Sequence, residues 1–130
     1  MRLLAAACAS AALIGSSAGP WASAAAVRPT LKNPTRIQVV AMEFFYNLSV
    51  HSVPPGPAIV QLVNFGQDAH DLRIERIGSH HVAGTPVLQP GSYYDLKLTL
   101  VPGTYELWCS IANHRALGMH AEFFVVRRDR

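Results

Sequence analysis

The sequence predicts an all-β sandwich or barrel, and three observations carry that expectation. Short stretches rich in β-branched and aromatic residues recur along the chain, several of them alternate apolar and polar positions, and prolines and glycines punctuate the gaps between them. No segment holds a helical period over more than a few residues.

Taken in order, Ile37 to Tyr46 reads as the first strand, interrupted by Pro54-Pro55-Gly56-Pro57. Ala58 to Asn64 forms the next and ends at Phe65-Gly66. Leu72 to Ile77 alternates apolar and charged residues, the pattern of a half-buried strand. A loop with His80, His81 and Gly84 follows, then Val87-Leu88 and a Gln89-Pro90-Gly91 turn. In Tyr93 to Leu100, Tyr94, Leu96, Leu98 and Leu100 share one face, with Asp95, Lys97 and Thr99 on the other. Val101-Pro102-Gly103 turns the chain into Thr104 to Cys109, and His120 to Arg127 closes the domain.

Half of the 130 residues are hydrophobic and 15% are charged, so a packed core is expected rather than disorder. The formal charge of +3 is modest, and the short tail of Arg127, Arg128 and Arg130 makes no basic stripe, so no nucleic-acid partner is expected.

The N-terminus has a different character. Met1-Arg2 precedes the apolar run Leu3 to Ile14, and small residues at Ala22 and Ala24 suit cleavage before Ala25. The expected organisation is a signal peptide over 1–24, an extension over 25–35 and one domain over 36–130. Two alternatives remain, an uncleaved anchor and a lipoprotein at Cys8, although the run is shorter than the roughly 20 residues a spanning helix needs. With cleavage, the mature form has no membrane span, and export to the periplasm, cell envelope or medium is expected. Cys8 then leaves with the signal, and Cys109 is the one cysteine of the mature domain. An exported domain with one cysteine has no internal disulfide, so the thiol is a buried structural group, an intermolecular cross-link or a metal ligand.

Its neighbours favour the last. Four residues separate Cys109 from His114 and four more separate His114 from Met119. A thiolate, an imidazole and a thioether so close together favour copper, and one further histidine completes a blue-copper donor set. His70, at the start of a strand, supplies it. Alternation in Thr104–Cys109 points Tyr105, Leu107 and Cys109 inward and Glu106 and Trp108 outward. Ser110 is positioned to bond within the loop or to serve as an ordinary turn serine. His80 and His81 are adjacent and face opposite ways, and His51 and His120 read as surface or edge residues, so no second metal site is expected among them. Asn47-Leu48-Ser49 is a glycosylation sequon in form and otherwise a turn.

The segment from Pro102 to Met119 resembles the C-terminal metal loop of the cupredoxins, the family of plastocyanin, azurin and rusticyanin. The Pro-Gly-Thr-Tyr lead-in, Tyr105-x-Leu107-x-Cys109 and the Gly118-Met119 ending carry the likeness, and Asn64-x-Gly66-x-x-x-His70-x-Leu72 resembles the first ligand strand. The resemblance implies a Greek-key β-sandwich or barrel holding one type 1 copper ion, Cu(I) or Cu(II), through His70, Cys109, His114 and Met119. The four-and-four spacing is closer to rusticyanin-like proteins than to plastocyanin or azurin. Asp71 departs from the family, which commonly has Asn or Ser there bonding to the metal loop.

The implied function is one-electron transfer between transient protein partners by a monomer without enzymatic activity. The expected electron exit is His114, ringed by Ala112, Ala116, Leu117 and Gly118 with Pro55 and Phe65, and Arg115 is placed to steer an acidic partner. A protein that buffers or delivers copper is the alternative, and a metal-free recognition module the third reading.

Overall fold

The computed structural model describes residues 33–128, so the expected signal peptide and nearly all of the expected extension lie outside the described residues. Nine strands and no helix occur among them: β1 (Thr35–Met42), β2 (Phe45–Leu48), β3 (Ser52–Val53), β4 (Gly56–Asn64), β5 (Arg73–Arg76), β6 (Val82–Gly84), β7 (Tyr93–Leu100), β8 (Gly103–Trp108) and β9 (His120–Val125). They form two sheets, ordered β2-β1-β4-β7 and β3-β9-β8-β5-β6. The chain crosses between the sheets after β2, β3, β4, β6 and β7, so each sheet is assembled from distant segments.

Alternation decides what lies between them. β1 turns Ile37, Val39 and Ala41 inward, β4 turns Ala58, Val60, Leu62 and Asn64, and β8 turns Tyr105 and Leu107, all buried. Phe123 of β9 is fully buried and stacks on Tyr105 with ring centroids 5.1 Å apart. The Tyr105 hydroxyl accepts from the Val101 amide and donates to the Val101 carbonyl, at 3.1 and 3.2 Å, clasping the turn before β8.

Several elements differ from the sequence expectation. Ile37 to Tyr46 is a hairpin rather than one strand, with a turn at Glu43-Phe44 and β1 pairing antiparallel to β2 through Val39↔Leu48. Ile37, Val39 and Ala41 point inward, and so do Tyr46 and Leu48. The buried positions thus change from odd to even numbers, which one unbroken strand cannot do. Val82–Gly84 is a short edge strand paired with β5 where a loop was expected. Tyr94 is 40% exposed, because β7 is a sheet edge covered well only toward Leu100.

Two registers shape the end of the sandwich where His70 lies. β1 runs parallel to β4 with Ala41↔Asn64, so two further steps bring Glu43 level with Gly66. β5 runs antiparallel to β8 with Arg73↔Trp108, so the continuation sets Asp71 opposite Ser110 and His70 beside the loop after Cys109.

Candidate metal centre

His70, Cys109 and His114 come together at that end of the sandwich. One donor atom from each lies within 4.8 Å of the others, and all three residues are buried. No other group of three His, Cys, Asp or Glu donors meets in this way among the described residues. Cys109 Sγ is 3.6 Å from His114 Nδ1, and the two imidazole rings are 5.1 Å apart, edge to face. Met119 is fully buried, and its backbone closes the loop: Cys109 N–H donates to Met119 O at 3.1 Å and Met119 N–H to His114 O at 3.0 Å. Further turn hydrogen bonds, Leu117 N–H to Asn113 O among them, wind residues 110–118 into a compact loop. Gly118 has φ +113°, a conformation L side chains rarely adopt, and a Cβ there would lie 3.4 Å from Phe44 O.

His70 is held from behind. Its backbone pairs with Leu88, N–H to O at 3.1 Å and the reverse at 2.7 Å. The preceding loop is organised by the buried Asn64, whose amide donates to Asp68 O and Leu88 O at 2.8 and 2.9 Å and accepts from Gly66 N–H at 2.9 Å. His70 Nε2 lies 3.1 Å from Glu43 Oε1. Its other ring nitrogen, Nδ1, is the one buried side-chain nitrogen or oxygen among the described residues without a hydrogen-bond partner. An unpartnered buried nitrogen costs free energy unless something occupies its lone pair, and a cation beside a thiol and a second imidazole meets that need.

The surroundings of Cys109 favour the same reading over its alternatives. The residue is 1% exposed, which excludes an intermolecular disulfide in the folded chain. Burial is the main influence pushing its thiol above the usual range, so a bare reactive thiolate is disfavoured and the thiolate form calls for an adjacent cation. These residues fit a soft cation with mixed sulfur and nitrogen ligands.

Asp71 does bond to the loop that follows Cys109. Its carboxylate accepts from the Ser110 amide at 2.7 Å and from the Ser110 hydroxyl, and Arg73 Nη2 lies 3.0 Å away. The Tyr46 hydroxyl donates to the Asp71 carbonyl, and burial, followed by the neighbouring Cys109 and Asp71, pushes that phenol well above its ordinary range.

Besides Tyr46, two residues at the site were not singled out from the sequence. Glu43 Oε1 also accepts from the amides of Gln67 and Asp68 at 2.6 and 2.8 Å. The Asp68 amide foremost, then the His70 contact and the Gln67 amide, outweigh partial burial and hold its carboxyl pKa down at about 2. Phe44 packs its ring 4.7 Å from that of His114. The parity change between Ala41 and Tyr46 was the available signal for a turn there, though nothing in the spacing gave the turn's destination.

Around His114, itself 8% exposed, Ala112, Ala116, Leu117 and Gly118 are exposed as expected, and Phe65 is exposed at the same end of β4. Pro55 is elsewhere. It precedes Gly56, which pairs with Leu100 at the opposite end of β4, roughly 26 Å from Asn64 at strand rise. Arg115 is already engaged, ion-paired with Glu106 and with its guanidinium 4.7 Å from the Trp108 ring centroid. His51, His80, His81 and His120 are all exposed.

The sequence matches no protein-family model and no curated protein. The fold does match solved structures. Reduced auracyanin from Roseiflexus castenholzii superposes with a TM-score of 0.64 at 22% identity, over 73% of this chain and 99% of that one. Auracyanin A, described as a "blue" copper protein from Chloroflexus aurantiacus, gives 0.57 at 12% identity over 72% and 100%. Rusticyanin from Thiobacillus ferrooxidans gives 0.55 at 21% identity over 72% and 79%. At these identities the likeness is one of fold, and the chain has the cupredoxin fold.

Proposed function

We propose that this chain is an exported mononuclear type 1 copper protein that carries single electrons between redox partners, with His70, Cys109, His114 and Met119 as its ligands. The observation that carries the reading is the unpartnered, buried Nδ1 of His70 in one cluster with Cys109 and His114. Copper bound there would accept and release one electron between its Cu(II) and Cu(I) states.

The chain's contribution is to hold donors still. The backbone pairs among Cys109, His114 and Met119 fix three of the four on one loop. Asp71 anchors that loop through Ser110, and Leu88 and Glu43 fix His70. Ligands held this way have little freedom to rearrange when the charge at the centre changes, which favours rapid outer-sphere transfer. Phe44 and the core exclude water, while the thin exposed edge of His114 leaves an exit amid the apolar rim of Ala112, Ala116, Leu117 and Gly118. A small apolar surface of this kind suits brief encounters with a redox partner.

Copper delivery is the second reading. A deeply enclosed donor set with Met119 fully buried offers an incoming acceptor little access, which favours the carrier. The discriminating experiment is to reduce the copper-loaded protein with ascorbate in the presence of a Cu(I) chelator. A carrier keeps its copper and returns to the oxidised spectrum on adding ferricyanide; a delivery protein loses copper to the chelator within the same cycle.

A further inference from the structure

Glu43 reaches the centre from a turn whose destination the register explains. Its level partner on the neighbouring strand path is Gly66, where a Cβ would sit 2.1 Å from Glu43 Oε1 and 3.0 Å from His70 Nε2. Any Cβ at this position would have to push the carboxylate aside. That one oxygen faces three nitrogens, the Gln67 and Asp68 amides and His70 Nε2. Two are obligate donors, so the oxygen is fixed in place before the imidazole is considered. A carboxylate oxygen only accepts, so the ring nitrogen opposite it must carry the hydrogen, which leaves the lone pair of a neutral His70 on Nδ1.

We propose that Glu43 is a positioning residue that locks His70 in its Nε2–H tautomer, presenting the Nδ1 lone pair to the metal, and that its negative charge behind the ring favours the oxidised centre. The charge part rests on the copper reading; the tautomer part does not. A carboxylate bonded to the far nitrogen of a metal-binding imidazole raises the ring's donor strength as well as orienting it. Because the carboxylate side chain is 29% exposed, solvent screens part of its charge but leaves it within reach of the centre through one ring.

Three variants separate geometry from charge. Glu43→Gln keeps an oxygen to accept all three hydrogen bonds and removes the charge. Glu43→Ala removes both, and Gly66→Ala displaces the carboxylate without altering Glu43. Nitrogen-15 NMR of the copper-free protein reads the His70 tautomer. The expected result is Nε2–H in the parent and in Glu43→Gln, and loss of that single tautomer in Glu43→Ala and Gly66→Ala. In the copper-loaded protein, Glu43→Gln is expected to lower the ratio of Cu(II) to Cu(I) affinity about tenfold, an upward shift in potential of about 59 mV. A single Nε2–H tautomer in all four proteins overturns the positioning role, and an unchanged potential in Glu43→Gln overturns the electrostatic one. Failure of the parent to bind copper would remove the electrostatic role together with the copper reading, while the copper-free spectra still decide the positioning role.

Discussion

Asp71 and Ser110 face each other across the end of the β5–β8 pairing, and the Asp71 carboxylate takes both the amide and the hydroxyl of Ser110. The contact ties the residue after His70 to the residue after Cys109. Two segments nearly forty positions apart in sequence are thereby held at one separation. Asp71→Ala strands the Ser110 amide and removes the partner of Arg73, at a cost of about 2–3 kcal/mol. Ser110→Ala keeps the amide bond and loses only the hydroxyl's contacts, its donation to Asp71 and a long 3.4 Å bond from Arg73 Nε, about 1 kcal/mol. Urea unfolding should show both as lower midpoints with unchanged slopes; equal losses would mean that the amide contact contributes nothing.

Tyr46 supports the same residue from the other side, its hydroxyl donating to the Asp71 carbonyl. Tyr46→Phe keeps the buried ring and leaves the carbonyl short of a partner, so a loss of about 1–1.5 kcal/mol is expected. A stability equal to the parent's would show that water replaces the hydroxyl.

Met119→Leu is a volume-conserving change at a fully buried position and should cost less than about 1.5 kcal/mol of stability. On the proposed ligand set, its effect falls on the metal instead. Replacing a thioether by an alkyl group removes a donor from the more highly charged Cu(II) state, so the potential should rise while the visible band persists. An unaltered potential by voltammetry would remove Met119 from the ligand set.

Arg115 is held by Glu106 and lies over Trp108, which leaves its charge partly balanced and its side chain committed. Arg115→Gln should therefore reduce stability by less than about 1 kcal/mol and change association with an acidic redox partner only slightly. A large drop in association rate, with a flatter salt dependence, would restore the steering role that its place beside His114 first implied.

That His70, Cys109 and His114 meet was legible because the chemistry and spacing are local: Cys109 and His114 lie in one loop with Met119, and His70 precedes a recognisable strand. The inward run of Tyr105, Leu107 and Cys109 was legible from strand alternation alone. Glu43 and Tyr46 were not, because their partners, Gln67 to His70 and Asp71, are reached through the β1–β4 register and the hairpin, which leave no spacing signature. Pro55 was assigned to the wrong end for the same reason. Its turn is near Ala58 in sequence, and only the pairing of Gly56 with Leu100 reveals which end of the sandwich that is.

Titrating the folded, metal-free protein with Cu(II) while recording its visible absorption tests the central claim most directly. The account predicts an intense thiolate-to-copper band that saturates at one copper per chain and is absent in Cys109→Ser. Colourless binding, or a band that survives the loss of Cys109, would contradict it.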